Sequence, residues 1–178
     1  MGTKKKKVVI VGGGFAGSTI ARALEKEFDV TLIDIKEYFE FTPSIIRVIV
    51  EPEHLKKIQV LHKTYLKKAR VIIGEVTSIT SKDVQVNKEN IPFDYLALCS
   101  GSSYASPIKE SHTIIPLRAK SLFTASKKLQ NAKKVMIIGG GLVGVELAAE
   151  IREKYPSKEI TLVHAHPGLL ERHHPRTQ

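Results

Sequence analysis

A glycine motif of the form G-x-G-x-x-G occurs twice in this chain, and each copy directly follows a short apolar run. The first copy occupies residues 12–17 after the run 8–11, and the second occupies 139–144 after 135–138. Apolar residues at helical spacing and a second apolar run follow each copy. Strand, glycine turn, helix and strand make one βαβ unit with parallel strands. The sequence therefore predicts an α/β fold with two Rossmann-like units and parallel sheets, the second unit incomplete.

The first glycine motif has the residues that a bound dinucleotide requires. Gly12 permits a tight turn, Gly14 lets the backbone approach a pyrophosphate, and Gly17 lets the helix pack closely on the strand. The helix N-terminus then offers N–H donors and a positive dipole to phosphate. Asp34 follows the second apolar run, about 20 residues on, where an acid binds a ribose hydroxyl. The cofactor-binding residues predicted for this site are Gly12, Gly13, Gly14, Phe15, Ala16, Gly17 and Asp34.

The second motif repeats this pattern with a different residue at the end of its second strand. The position that matches Asp34 is His164. A carboxylate there favours NAD and repels the additional phosphate of NADP, whereas a neutral or cationic group removes that repulsion. Two interpretations stay open: the site accepts NADPH as well as NADH, or His164 is simply exposed at a strand end. The residues predicted for this site are Gly139, Gly141, Leu142, Val143, Gly144 and His164.

The remaining elements are predicted from shorter patterns. The second copy of the repeat is three residues longer than the first, and we place the additional residues near 155–158. The expected domains are an FAD-binding domain over 1–110 and a partial NAD(P)-binding domain over 111–178. In the first domain we predict a loop entering a short helix (37–49) and a helix or irregular segment (59–68). Strands of a small antiparallel meander (70–79 and 84–86) and a short strand (95–98) follow. The second domain is expected to begin with a helix (119–129).

The net charge of +10 bears on solubility and on binding partners, and not on the fold. A solvated basic surface is the first interpretation, and an anionic membrane surface is the second. Nucleic acid is not an expected partner, because no motif that reads nucleic acid accompanies the lysines. The single cysteine, Cys99, excludes an internal disulfide and suits a reducing, cytoplasmic compartment.

A cluster of histidines near the end of the sequence raises the question of a metal site. His164, His166, His173 and His174 lie within eleven residues. No cysteine flanks them, and no carboxylate occurs at a ligand-like spacing. We therefore predict no metal site.

The two motifs and the segment 95–101 between them resemble pyridine-nucleotide-dependent flavin oxidoreductases. In that superfamily an apolar strand followed by Thr-Gly closes the first half of the FAD domain, and Ser100-Gly101 stands at that place here. The run Gly74-Glu75-Val76 resembles the segment whose backbone meets the FAD adenine. Asp34 matches the acid that binds the FAD ribose. The resemblance thus adds Val76, Ser100 and Gly101 to the FAD site.

Within the superfamily, residues 38–43 and the pair Val163-His164 resemble type II NADH dehydrogenases and apoptosis-inducing-factor-like proteins. The latter include the ferroptosis-suppressor quinone reductases. The resemblance implies FAD-dependent oxidation of NADH or NADPH, with electrons passed to a quinone-type acceptor. It also implies that Glu146 lies toward the nicotinamide and the flavin, as the candidate catalytic residue.

The resemblance leaves two alternatives to an active enzyme. Members of the family are longer than 178 residues, so this sequence is expected to match their amino-terminal part. It would then be a truncated oxidoreductase, a nucleotide-binding fragment without activity, or a basic interaction module. The expected location is the cytoplasm, free or peripheral on a membrane or lipid droplet, in an oligomeric state that the sequence leaves open.

Overall fold

The computed structural model describes residues 4–102 and 115–171, which alternate between strands and helices around each glycine motif. The strands are β1 (Lys7–Val11), β2 (Asp29–Asp34), β3 (Tyr38–Glu40), β4 (Gln59–Leu61), β5 (Arg70–Ile73), β6 (Val76–Ile79), β7 (Asp83–Val86), β8 (Glu89–Pro92), β9 (Tyr95–Leu98), β10 (Lys134–Ile138) and β11 (Glu159–Val163). The helices are α1 (Phe15–Leu24), α2 (Ile45–Val50), α3 (Leu55–Ile58), α4 (His62–Tyr65), α5 (Ile115–Asn131) and α6 (Leu142–Lys154).

The chain divides into two units, and each is built from two separate segments. The first unit comprises Met1–Phe41 and Gln59–Arg118, and the second comprises Thr42–Ile58 and Ala119–Gln178. A parallel sheet of order β5-β2-β1-β9 forms the centre of the first unit. The α/β fold with parallel sheets is therefore confirmed.

Both faces of this sheet are covered, because successive residues of a strand point to opposite sides. On one face Val8 and Leu32 pack with Ala21 of α1. On the other face Val9 and Ile33 pack with the antiparallel meander β6-β7-β8. The continuous apolar runs of β1 and β2 are explained by this double burial. The predicted small antiparallel meander is confirmed.

The second unit repeats the βαβ arrangement. Its strands β10 and β11 are parallel, and the register pairs Lys134 with Glu159 as Lys7 pairs with Asp29 in the first unit. Helix α6 has 13 residues where α1 has 10. The connections from helix to second strand are equally long in the two copies. The three additional residues therefore lie in the helix, and the prediction that placed them near 155–158 was wrong.

A two-stranded antiparallel sheet of β3 and β4 was not predicted. It pairs Tyr38 with Leu61 across a long connection. The segment 59–68, expected to be helical or irregular, instead supplies strand β4 and then the one-turn helix α4. The predicted strand 70–79 is also divided, since β5 joins the parallel sheet and β6 the meander. Pairing between distant segments leaves no periodic signal in a short stretch of sequence, which explains these differences.

Helix α5 begins four residues earlier than the predicted start at Ala119. Pro116 therefore lies inside its first turn rather than before it. Proline is tolerated there because the first N–H groups of a helix have no partner within the helix.

A buried ion pair of the first unit lies close to the points where the chain leaves and re-enters that unit. Arg118 and Glu40 have side chains that are 0% and 6% exposed, and their atoms Nη2 and Oε1 are 3.1 Å apart. The Nε of Arg118 donates to the other carboxylate oxygen of Glu40, also at 3.1 Å. Gln59 donates to the same oxygen at 2.7 Å. These three residues lie at or next to the three boundaries between the units.

A buried carboxylate ties helix α1 to the start of β5. Glu25 accepts hydrogen bonds from the backbone N–H groups of Lys67, Lys68 and Ala69 at 2.9, 2.8 and 3.1 Å. Burial alone would raise the pKa of Glu25, but these three donors outweigh it and hold the pKa below its usual range. The interaction therefore stabilises the fold at neutral pH.

We predict that Glu25→Gln lowers the free energy of unfolding by about 1–3 kcal/mol at neutral pH, because the buried charge-assisted hydrogen bonds are weakened. Since the pKa of Glu25 is lower in the folded state, its contribution is present above the unfolded pKa and is lost as the pH falls through the folded pKa. Urea unfolding at pH 7 and pH 3 measures both effects. The exposed neighbour provides the control, Glu27→Gln. Equal stability of the two variants at pH 7 would contradict the prediction.

Candidate nucleotide-binding sites

The first glycine turn is fixed by contacts that only glycine permits. Gly12 has φ +100° and donates its N–H to the carbonyl of Ile33 at 2.7 Å. A Cβ at Gly12 would overlap the carbonyl of Cys99, and a Cβ at Gly17 would overlap the carbonyl of Gly12. These two glycines therefore serve the close packing of helix α1 against the sheet.

Gly14 differs from these glycines because it faces open space. A Cβ built there meets no atom of the described chain within 4 Å. Gly14 is the N-cap of α1, no acid lies in the first turn, and the first N–H groups of a helix lack partners within it. The open space beside unpaired donors and a positive helix end fits a pyrophosphate. This observation matches the role that the sequence predicts for Gly14.

The first turn of α1 also carries an exposed aromatic residue. Phe15 is 48% exposed, and its ring makes edge-to-face contacts with Phe39 at 5.2 Å and Phe41 at 5.6 Å between centroids. Ala16, beside it, is exposed as well. The helix start is therefore bordered on one side by aromatic rings within the first unit.

Asp34 lies where the sequence predicts it, at the end of β2 beside the glycine turn. Its Oδ2 accepts the N–H of Gly13 at 2.8 Å, and its Oδ1 accepts the N–H of Lys36 at 3.2 Å. The side chain remains 12% exposed, so part of the carboxylate can still receive a donor from a ligand. A Cβ at Gly13 would overlap Asp34 Oδ2, which explains a glycine at this position too.

The structure adds His62 to this site, a residue that the sequence analysis missed. Its Nε2 lies 3.2 Å from Asp34 Oδ2, and its Nδ1 lies 2.7 Å from the hydroxyl of Tyr65. The imidazole is completely buried. His62 is 28 residues from Asp34 and follows a strand that was not predicted, so no local signal indicated the contact.

Other residues predicted for the first site gather at the carboxyl ends of the same strands. The peptide between Cys99 and Ser100 lies against Gly12, and Gly101 has φ +70°. Gly74 donates its N–H to the carbonyl of Asp34 at 2.9 Å, and Val76 begins β6 two residues later. Ligands of open α/β sheets bind at this edge. Most of the predicted FAD-site residues therefore share one edge of one sheet.

The second site repeats the geometry of the first turn. Gly139 has φ +112° and donates to the carbonyl of Val163 at 2.8 Å. A Cβ at Gly144 would overlap the carbonyl of Gly139, whereas a Cβ at Gly141 meets nothing within 4 Å. Leu142 and Val143, at the start of α6, are exposed beside this space. The second turn therefore offers the same opening for a pyrophosphate.

His164 occupies the place of Asp34 in the second site. Its Nδ1 accepts the N–H of Gly140 at 3.0 Å, just as Asp34 accepts the N–H of Gly13. Because Nδ1 accepts, the proton of the neutral ring is on Nε2. The second site can therefore offer a hydrogen-bond donor where the first offers an acceptor.

Glu146 lies on α6 and borders a cavity of about 380 Å³ within the second unit. The cavity is also lined by Arg47 and Glu150, which form an ion pair at 3.3 Å. His54, 3.1 Å from the hydroxyl of Ser44, lies on the same cavity. Glu146 is therefore exposed to a polar cavity.

The histidines of the second site do not assemble into a metal centre within residues 4–102 and 115–171, where no group of three or more His, Cys, Asp or Glu side chains is arranged to hold an ion. The rings of His164 and His166 are 5.4 Å apart, and His166 Nδ1 lies 3.8 Å from a carboxylate oxygen of Glu171. His173 and His174 lie outside the described residues.

The sequence that contains these paired turns matches a known protein family. The family described as pyridine nucleotide-disulphide oxidoreductase matches residues 6–178. The chain belongs to this family. The resemblance predicted from the glycine motifs is confirmed, and the predicted cofactors, FAD with NADH or NADPH, are those of the family.

The chain is similar to curated apoptosis-inducing-factor and ferroptosis-suppressor proteins. The chain is 35% identical over 184 residues to apoptosis-inducing factor homolog B of Dictyostelium discoideum, covering 96% of this chain and 46% of that protein. It is 35% identical over 171 residues to ferroptosis suppressor protein 1 of Xenopus tropicalis, covering 93% of this chain and 45% of that protein. The chain therefore spans about half the length of these relatives.

Solved structures show the same fold at lower sequence identity. The NDH2 of Plasmodium falciparum in complex with NADH has a TM-score of 0.77 and 20% identity, covering 97% of this chain and 44% of that one. The water-forming NADH oxidase of Lactobacillus brevis, bound to NADH, has a TM-score of 0.70 and 21% identity, and the match covers 93% of this chain and 41% of that one. These structures show that the fold is shared. The family match confirms the broad prediction of a pyridine-nucleotide-dependent oxidoreductase family.

We predict that Gly14→Val and Gly141→Val have separate effects. Both positions face open space, so both variants fold, and each side chain fills the place of one pyrophosphate. Gly14→Val should weaken FAD binding at least about tenfold, or ~1.4 kcal/mol, without affecting NADH. Gly141→Val should do the reverse. Flavin fluorescence and NADH titration measure the two affinities, and unchanged FAD affinity in Gly14→Val would refute the assignment of the first turn.

Proposed function

We propose that this chain holds FAD at the first glycine turn and NADH or NADPH at the second, as part of an NAD(P)H oxidoreductase with a quinone-type acceptor. The observation that carries the proposal is the repeated turn, in which an open glycine adjoins a helix start in both units. FAD, when bound, takes a hydride from NAD(P)H and delivers two electrons to the acceptor. The protein's own residues bind and orient the two nucleotides.

The two proposed sites differ in the ligand that they bind because a different side chain lies at the end of each second strand. In the first unit, Asp34 offers a carboxylate oxygen to a ribose hydroxyl, and the start of α1 receives the phosphates. In the second, His164 offers Nε2–H, which can donate to a ribose hydroxyl or to a 2′-phosphate. We assign the FAD domain to residues 1–110 and the NAD(P) domain to 111–178, with the segment Thr42–Ile58 packed in the second unit. The second site therefore accepts both NADH and NADPH.

Glu146 is the proposed catalytic residue. It lies two residues beyond Gly144 and is exposed to a polar cavity of its own unit. Arg47, on the same cavity, is already paired with Glu150. The carboxylate of Glu146 can therefore accept a hydrogen bond from a carboxamide such as that of nicotinamide.

The quinone-type acceptor and an anionic membrane surface are the proposed partners. The 35% identity with ferroptosis suppressor protein 1 supports the subfamily resemblance from which a quinone-type acceptor is inferred. In the described part of the chain, no helix is both long and apolar enough to cross a membrane. The net charge of +10 would favour peripheral contact with anionic lipid on the cytoplasmic side.

A second candidate is a nucleotide-binding protein without turnover. The observation that favours it is that each turn has its open glycine within its own unit, so a nucleotide could bind at either turn without electron transfer. Such a protein would bind nucleotides at one or both turns and transfer no electrons.

The visible absorption spectrum of the purified chain separates these candidates. If the proposal is correct, the protein shows flavin bands that bleach when NADH is added without oxygen. Gly14→Val, prepared in parallel, should be colourless. A wild-type protein that remains colourless after incubation with FAD would refute the enzyme and leave the second candidate.

We predict that His164→Asp lowers the affinity for NADPH about tenfold relative to NADH, because a carboxylate repels the 2′-phosphate. Aspartate can still accept the N–H of Gly140, so the turn is preserved. His166→Asp places the same charge two residues further along and serves as the control. Measured dissociation constants for both nucleotides test the prediction, and an unchanged ratio in His164→Asp would show that His164 does not face the ribose.

A further inference from the structure

His62 is a completely buried imidazole beneath the first glycine turn. It lies at the start of α4, and both of its ring nitrogens have polar partners, Asp34 and Tyr65. A Cβ at Gly13 would overlap this imidazole as well as the Asp34 carboxylate. His62 is therefore in direct contact with the elements that form the first site.

The partners of His62 determine where its proton lies. A carboxylate oxygen only accepts, so Nε2 carries hydrogen and donates to Asp34 Oδ2 at 3.2 Å. Nδ1 then accepts a hydrogen bond from the Tyr65 hydroxyl at 2.7 Å. Burial and the nearby charge of Asp34 raise the pKa of Tyr65 to about 12, so this hydroxyl keeps its proton at neutral pH. The donors run in one direction, from Tyr65 through His62 to Asp34.

This arrangement leaves Asp34 few free acceptor positions. A carboxylate has about four acceptor positions, two on each oxygen. Oδ2 already receives the N–H of Gly13 and the Nε2–H of His62. Oδ1 receives the N–H of Lys36 and keeps one position. The carboxylate of Asp34 is thus fixed in orientation, with a single acceptor left for a ligand.

We propose that His62 is a positioning residue for ribose recognition in the first site. By occupying Oδ2, it makes Asp34 present one acceptor, on Oδ1, to one ribose hydroxyl of the adenosine half of the dinucleotide. The site therefore distinguishes between the two hydroxyls of that ribose. This inference rests on the proposed function of the first site and deepens it.

The test compares His62→Leu with His62→Gln in the full chain. The probes are FAD, ADP, 2′-deoxy-ADP and 3′-deoxy-ADP, measured by titration calorimetry. In the wild type, removal of one hydroxyl should weaken ADP binding about tenfold and removal of the other only slightly. His62→Leu should bind ADP about tenfold more weakly and lose this discrimination. His62→Gln should retain most of both, because its amide N–H can donate from a similar position.

A double-mutant cycle shows whether His62 acts through Asp34. If it does, His62→Leu should have little additional effect on ADP affinity in an Asp34→Ala background. Additive losses would show a merely structural role and overturn the inference. Affinity for NADH at the second site should remain unchanged in every variant.

Two further measurements cover the case in which His62→Leu fails to fold. Tyr65→Phe keeps the packing and removes the hydroxyl that donates to Nδ1 and also contacts Ser18, so it should weaken ADP binding about threefold. Nitrogen NMR of the wild type should show His62 protonated on Nε2, and a proton on Nδ1 would overturn the inference. A wild type that binds neither FAD nor ADP refutes the proposed function itself. A wild type that binds both, beside a fully competent His62→Leu, refutes only the role of His62.

Discussion

One hydrogen bond, made twice, organises both halves of this protein. In each unit the N–H of the motif's second residue donates to the side chain that ends the second strand, from Gly13 to Asp34 and from Gly140 to His164. The bond brings the glycine turn next to the end of the second strand. The turn can then leave Gly14 and Gly141 facing open space at the start of a helix. The residues proposed to recognise phosphate and ribose are thereby brought to one place in each unit.

The difference between the two bonds distinguishes the sites chemically. The carboxylate of Asp34 is an acceptor held by several donors of the protein, including buried His62. The imidazole of His164 uses its acceptor on the backbone and keeps a donor for the ligand. A repeated fold with one changed side chain therefore provides two candidate nucleotide sites of opposite hydrogen-bonding character. In the proposed function, the first site would hold FAD as a cofactor and the second would exchange NAD(P)H as a substrate.

The sequence predicted the parts that depend on local patterns. Apolar runs, glycine spacing and the position of Asp34 are all readable within one βαβ unit, and the structure has each where it was expected. Strand β3 pairs with β4, and His62 contacts Asp34, across long stretches of sequence. A local periodic pattern therefore does not predict either contact. The three additional residues of the second copy were placed in the loop after α6 because a sequence gap has no fixed position, whereas helical packing puts them inside α6.

Because each unit is built from two separate segments of the chain, neither unit can fold completely until its second segment has been synthesised on the ribosome. Helix α2 is translated early, but its buried residues, such as Ile45 and Val48, belong to a unit whose other segment begins at Ala119. The ion pair of Glu40 likewise cannot form before Arg118, the last residue of the first unit, has been synthesised. A nascent chain shorter than about 120 residues therefore has the acid without Arg118, and the apolar helix without the second segment of its unit. Chaperones that bind exposed apolar segments would meet this protein at that stage of translation.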